Sequence, residues 1–145
     1  MKVLFLGQAP GAGWDNNSVP LGGRNARKLG SLVSMSGDEF LASFDTANLL
    51  NEYPGAAGSG DYFPMQKAKK VAATMRFDEY DLIVMLGRNV QTALGFPAAD
   101  WFEEINRGKT TFVSFPHPSG RNRWWNSDAN QAAATNYLLT ALTSS

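Results

Sequence analysis

The sequence predicts an α/β protein in which helices cover both faces of a four-stranded parallel sheet. Short apolar runs, of which DLIVML at residues 81–86 is the clearest, alternate with segments whose apolar residues recur at helical spacing. Strands that are apolar at successive positions are typical of parallel sheets buried between helices. The chain of 145 residues contains no internal repeat and no linker long enough to divide it. We therefore expect a single domain over residues 1–145.

The predicted strands cover residues 2–6, 46–50, 81–86 and 110–115. Helices are predicted over residues 24–34, 36–43, 64–75 and 89–94, and from Asp128 onward. Ser36 and Glu39 fit a capping box at the start of the second helix, and Gly95 ends the fourth. The apolar spacing of the last helix predicts that five side chains face inward: Ala133, Tyr137, Leu138, Ala141 and Leu142.

This topology predicts where a ligand binds. Open α/β sheets bind their ligands beyond the carboxyl ends of the strands. Four loops should meet there, at residues 7–13, 51–55, 87–89 and 116–123. The stretches with unusual composition lie in three of these loops.

Composition excludes several classes of protein. Lys and Arg total 13, as do Asp and Glu, which argues against a protein that coats nucleic acid through bulk charge alone. The cations are nevertheless clustered, at residues 24–28, 67–70, 107–109 and 121–123. They can form one positive face of the folded protein, or they can simply lie on solvent-exposed helix faces, and the sequence leaves both interpretations open. The lack of cysteine excludes disulfides and Cys-ligated clusters, and a single histidine leaves no second imidazole for a metal. No apolar run reaches 18 residues, and the N-terminal run is too short for a signal peptide. We expect a cytoplasmic protein with no membrane association, cofactor or metal.

His117 is the strongest candidate on residue chemistry alone. Pro116 and Pro118 flank it, which stiffens the backbone and keeps His117 out of a helix. A rigidly placed imidazole at the carboxyl edge of a sheet suits the stabilisation of charge that develops on a bound group. The alternative is a histidine in an ordinary surface loop, since no carboxylate lies close in sequence to complete a triad.

Three other stretches are ambiguous by themselves. GQAPG at residues 7–11 offers backbone N–H groups and the Gln8 amide, yet an ordinary turn is the simpler interpretation, and no Gly-Lys-Ser/Thr follows to make a P-loop. Asn48 near a strand end can donate to and accept from a pyrimidine edge, although a structural asparagine is simpler. RNRWW at residues 121–125 offers arginines for phosphates and indoles for stacking on bases. Its alternative is a tryptophan pair that covers the core, and we expect one of the two indoles to be buried.

Read in order, five stretches resemble the uracil-DNA glycosylase superfamily: GQAPG (7–11), PLGGRNARKLGSL (20–32), ANLLNEYP (47–54), IVMLGRNVQTALG (83–95) and HPSGRNR (117–123). The resemblance covers nearly the whole chain, and its first and last motifs together are fairly specific. It implies a three-layer α/β/α sandwich on a four-stranded parallel sheet, in agreement with the pattern above. It also implies DNA repair by base excision, in which a base is flipped out of DNA and its N-glycosidic bond is hydrolysed.

The resemblance implies roles for individual residues. His117 matches the histidine that donates to uracil O2 as negative charge builds on the leaving base. Asn48 matches the asparagine that reads the base edge, and Arg121 matches the wedge residue of the single-strand-selective branch. The remaining residues implied in base or DNA binding are Gly7 and Ala9 for the base, and Ser119, Gly120 and Arg123 for DNA.

The sequence departs from the family pattern at three points. Gln8 stands where most active branches carry Asp, Glu or Asn to position water, and Asp15 or Asn16 in the same loop is a candidate substitute. Leu21 replaces the phenylalanine on which the base stacks, a loss of about 1–3 kcal/mol per base unless Trp14 supplies a platform. The spacing of GQAPG resembles the iron–sulfur branch, whose cysteines are missing, whereas HPSGRNR resembles the mismatch-specific and single-strand-selective branches.

The resulting prediction is a monomeric DNA glycosylase for uracil or a modified pyrimidine in single- or double-stranded DNA. Its activity is expected to be weak or redirected to a modified base, because Gln8 cannot act as a base. One alternative is a catalytically silent member of the superfamily that binds nucleic acid or a nucleotide. Another is a flavodoxin-like domain that binds a small nucleotide.

Overall fold

A computed structural model describes residues 1–10, 20–57, 60–61, 63–119 and 121–143 of the chain. Its strands are β1 (Val3–Gly7), β2 (Asp45–Asn48), β3 (Ala56–Ala57), β4 (Gly60–Asp61), β5 (Leu82–Leu86), β6 (Glu104–Arg107) and β7 (Thr110–Phe115). Its helices are α1 (Arg24–Leu32), α2 (Gly37–Ser43), α3 (Met65–Thr74), α4 (Arg88–Ala93) and α5 (Asp128–Thr143), with a 3-10 helix over Arg123–Asn126.

Five strands form the main sheet, in the order β2-β1-β5-β7-β6. The first four are parallel, which confirms the predicted α/β class, whereas β6 pairs antiparallel with β7 at one edge. The prediction of four strands was therefore one short. The sequence of β6 is EINR, and only Ile105 in it is even half-buried. An edge strand so polar has no apolar run by which it could be recognised.

Helices cover the sheet on both faces, as in a three-layer sandwich. Successive side chains of a strand point to opposite faces. Val3 and Phe5 accordingly join the core under α1, α2 and α5, whereas Leu4 and Leu6 join a second core under α3 and α4. The α1 and α3 helices therefore lie on opposite faces of the sheet.

The start of α2 and the course of α5 show what local sequence signals predicted and what they did not. Ser36 caps α2, accepting from Glu39 N–H while the Glu39 carboxylate accepts from Ser36 N–H, as predicted. Four of the five side chains predicted to face inward from α5 pack in the core, namely Tyr137, Leu138, Ala141 and Leu142. The prediction is wrong only for Ala133, which is exposed, whereas Ala134 is buried. Since residues 132–134 are all alanine, the apolar pattern could not tell which of them faces the core. The short antiparallel pair of β3 and β4 lies between the predicted strand at residues 46–50 and the predicted helix at residues 64–75, where the sequence predicted neither.

Contacts at the amino edge of the sheet hold the starts of β1, β2 and β5 together. The Tyr80 hydroxyl donates to the Asp45 carboxylate at 2.7 Å, and Lys2 Nζ lies 2.9 Å from Glu79. Burial, together with the bond to Asp45, raises the pKa of Tyr80 above its ordinary range. Within the described part of the chain, no helix is long and apolar enough to cross a membrane.

Candidate functional site

The order of the strands determines where a crevice opens. The chain passes from β1 to β2 on one side and then crosses to β5 on the other, so the direction of connection reverses between β1 and β5. Ligands of open α/β sheets bind at this reversal, outside the carboxyl ends of the strands. Gly7 ends β1 and Gly87 follows β5, so these two glycines border the crevice.

The β1 side of the crevice is formed by Gly7, Asn48 and Leu21. Gly7 is in register with Asn48, and a Cβ atom at Gly7 would lie 2.5 Å from Asn48 Oδ1 and 2.8 Å from Leu21 Cδ2. The Asn48 side chain therefore extends over the end of β1. Its Oδ1 is buried and has no hydrogen-bond partner among the described residues. Leu21 is buried in a left-handed backbone conformation, with φ of 63°.

The β5 side of the crevice brings Gln8 and His117 together across Gly87. A Cβ atom at Gly87 would lie 2.9 Å from Gln8 Nε2 and 3.5 Å from His117 Cβ. Gly87 also has a φ of 99°, a backbone conformation that residues other than glycine rarely adopt. Asn89 Nδ2 donates to Gln8 Oε1 at 3.4 Å and so orients the amide from the start of α4.

Hydrogen bonds on two of its atoms fix the orientation of His117. Its Nδ1 accepts from Ser119 N–H at 3.0 Å. Its carbonyl oxygen accepts from Asn122 Nδ2 at 2.9 Å and from Trp125 Nε1 at 2.7 Å. Because Nδ1 is an acceptor, the neutral imidazole carries its proton on Nε2. The half-buried ring is thus arranged as a hydrogen-bond donor through Nε2.

The Asn48 and His117 side chains approach the crevice from its two sides. Three strand spacings separate β2 from β7, which is about 14 Å between backbones. Asn48 lies over the end of β1 and His117 over the end of β5, so the gap between their polar groups is much narrower than that. With the apolar Leu21 beside Asn48, the arrangement suits a planar polar ring with a donor on one edge and a carbonyl on another.

The other predicted site residues include both core and surface positions. Ala9 is half-buried and packs against the core under α3 and α4. Ser119 Oγ accepts from Arg121 N–H at 3.2 Å, and the side chains of Arg121 and Arg123 are exposed. Trp125 is buried and Trp124 half-buried, so one indole belongs to the core as predicted. Four predicted residues lie outside the described residues: Trp14, Asp15, Asn16 and Gly120.

Sequence reasoning missed two asparagines that hold the site. Asn89 bonds to Gln8, and Asn122 bonds to the carbonyl of His117. Both lie in loops that were predicted to meet at the carboxyl edge, but neither has a local pattern that distinguishes it from a surface asparagine. Within the described residues, no group of three or more acidic or histidine side chains is arranged to hold a metal ion.

A family model described as Uracil DNA glycosylase superfamily matches residues 1–139 of the chain. The match includes every element from β1 to the greater part of α5. No curated protein matches the chain.

Proposed function

Since the chain belongs to the Uracil DNA glycosylase superfamily, we propose that it hydrolyses the N-glycosidic bond of uracil or a modified pyrimidine in DNA. The base is flipped into the crevice between β1 and β5, because its reacting atoms are inaccessible within the stack. The products are the free base and an abasic site. The residues that support this proposal are His117, Asn48 and Gln8.

In the proposed reaction the bond between C1′ and the base nitrogen breaks, and its electron pair leaves with the base. His117 Nε2–H donates to the base O2, on which the negative charge develops. Asn48 Oδ1 accepts from the base N3–H, and its Nδ2 donates to O4. Water adds to C1′ and loses a proton, and the base takes up a proton to become neutral. The chemistry needs stabilised charges and an oriented water, so amides and one imidazole are sufficient groups.

The observation that carries the proposal is the hydrogen bond from Ser119 N–H to His117 Nδ1. It gives the imidazole the donor nitrogen that a leaving base requires, without any need for a carboxylate partner. The test is base release from single- and double-stranded oligonucleotides that contain one uracil, detected by alkaline scission. A parallel panel with 5-substituted uracils and cytosines tests a modified-base substrate, which the small residues at 21–23 favour. Absence of release from every substrate would contradict the proposal and favour the binding-only alternative.

Replacement of Gln8 by aspartate is expected to increase base release. The Gln8 amide can orient water but cannot accept its proton, whereas a carboxylate can, and general-base catalysis contributes on the order of 10²-fold or more. The matched control is Gln8→Asn, which has the same length as aspartate without its charge. Single-turnover rates of the three proteins decide the outcome: equal rates for Gln8→Asp and Gln8→Asn would show that water activation at this position is not limiting.

Replacement of Gly7 by alanine is expected to lower kcat/KM by up to about 10²-fold, the scale of an ångström of misplacement at a reacting group. The added methyl would lie 2.5 Å from Asn48 Oδ1 and must displace the amide. The control is Gly30→Ala, whose methyl would lie 2.7 Å from the Met35 carbonyl, away from the crevice. That control should lose stability but keep its rate per folded molecule. A Gly7→Ala protein with unchanged kcat/KM would exclude Asn48 from base recognition.

Three properties predicted from the sequence remain predictions. They are the monomeric state, the cytoplasmic location and the binding of single- or double-stranded DNA. The wedge role of Arg121 and the phosphate contacts of Ser119 belong to the proposal. For Arg121, its exposure beside the His117 loop is the supporting observation.

A further inference from the structure

Helix α1 is joined to the His117 loop through one buried tryptophan. Lys28 Nζ donates to Gln131 Oε1 at 3.0 Å and lies 4.7 Å from the centre of the Trp125 ring. The same indole donates through Nε1 to the His117 carbonyl at 2.7 Å. Two groups of cations that are almost a hundred residues apart in sequence therefore lie on one side of the molecule.

Helical geometry places a second cation of α1 closer to the crevice. Arg24 precedes Lys28 by four residues, so the two side chains share a face and are about 6 Å apart along the axis. Leu21, which contacts Gly7 at the end of β1, lies three residues before Arg24. Arg24 therefore lies at the carboxyl edge of the sheet, and its side chain is exposed.

The side of the molecule where α1 faces the 3-10 helix carries a net positive charge. We call its three cations, Arg24, Lys28 and Arg123, the basic strip. Arg123 begins the 3-10 helix that contains Trp125, and its side chain is exposed. Asp128 precedes Gln131 by three residues and is a carboxylate on the same side, so the strip and this residue together sum to two positive charges. Asp78, Glu79 and Asp81, in contrast, lie just before β5 at the opposite edge of the sheet.

We propose that the basic strip binds backbone phosphates of the DNA strand on one side of the flipped nucleotide, so that α1 takes part in DNA binding. This inference rests on the proposed function and extends its DNA surface beyond the His117 loop. Arginine and lysine bind phosphates through charge and hydrogen bonds without reading the sequence. A protein with no net charge needs such a local strip to hold a polyanion.

The test is the salt dependence of binding to a fluorescent oligonucleotide without uracil, so that binding is measured apart from base release. Each of Arg24→Gln and Arg123→Gln should make the slope of log K against log salt shallower by about 0.9 for duplex or 0.7 for single-stranded DNA. The control Arg76→Gln removes an exposed guanidinium from the amino edge and should keep the parent slope. A slope for Arg24→Gln equal to that for Arg76→Gln would overturn the proposal that the basic strip binds phosphates. The absence of any binding by the parent protein would overturn it as well. Parent binding with the expected slopes but without base release from any substrate would overturn the proposed function and leave the strip supported.

Discussion

Replacement of His117 by alanine is expected to slow base release by about 10²–10³-fold, the usual effect of removing one donor to a developing oxyanion. The ring accepts from Ser119 N–H at Nδ1 and so carries its proton on Nε2, and in the proposed mechanism it can donate to the leaving base without a change of tautomer. The bonds to the His117 carbonyl come from the side chains of Asn122 and Trp125 and survive the substitution. The variant should therefore keep a thermal unfolding midpoint close to that of the parent, which separates chemistry from folding.

Two further substitutions at this position identify which nitrogen acts. In His117→Gln the amide nitrogen falls near the former Nε2, whereas in His117→Asn it falls near the former Nδ1. We expect the glutamine variant to retain more activity than the asparagine variant, measured as single-turnover rates. Equal rates would contradict a role for Nε2, and a fully active alanine variant would remove His117 from the mechanism.

Replacement of Asn48 by leucine is expected to lower activity without lowering stability. Asn48 Oδ1 is buried without a partner among the described residues, and such an acceptor costs about 1–3 kcal/mol. An apolar side chain of similar size removes that cost, so the free energy of unfolding should be unchanged or higher. The same change removes both polar contacts to the base edge, which should lower kcat/KM by about 5- to 160-fold, at 1–3 kcal/mol for a bidentate pair.

The matched control is the same substitution at Asn122, whose amide is fully engaged. Asn122 Nδ2 donates to the His117 carbonyl, and its Oδ1 accepts from Trp124 N–H at 3.2 Å. Asn122→Leu should therefore lower the free energy of unfolding by about 1–3 kcal/mol, because Trp124 N–H loses its acceptor and the His117 carbonyl loses one of its two donors. Chemical denaturation of both variants gives the comparison. A loss of stability in Asn48→Leu as large as that in Asn122→Leu would show that Asn48 serves the fold and not a ligand.

The two central strands of the parallel sheet, β1 and β5, were predictable because nearly every residue in them is apolar. Leu82–Leu86 is buried throughout, and a short apolar run bounded by polar residues is typical of a strand covered on both faces. β6 was missed because it lacks such an apolar run. Only one of its residues, Ile105, is even partly buried. On α5 only one position was predicted wrongly, Ala133 in place of Ala134, because three successive alanines carry no directional information.

The site was predictable only where local chemistry was unusual. His117 between two prolines could be singled out from the sequence by its unusual local pattern. Gly7 lies in a stretch that read more simply as an ordinary turn, and only the resemblance implied a role for it. Asn89 and Asn122 act through contacts with residues 81 and 5 positions away, and no local signal marks which surface asparagine will make them. The contact between Asn89 and Gln8 in particular forms only when β1 and β5 lie side by side in the sheet.

The His117 loop depends on the last helix of the fold. Asn130 Nδ2 donates to the Trp124 carbonyl and Gln131 Nε2 to the Trp125 carbonyl, each at 2.9 Å, so α5 holds the 3-10 helix whose indole in turn holds His117. During synthesis, the first strands leave the ribosome long before these two residues do. The sheet can therefore begin to form while the histidine is still unanchored, and the crevice is completed only when α5 docks. A chain cut short before Asp128 would retain every residue of the crevice but lose the two bonds by which α5 holds the 3-10 helix.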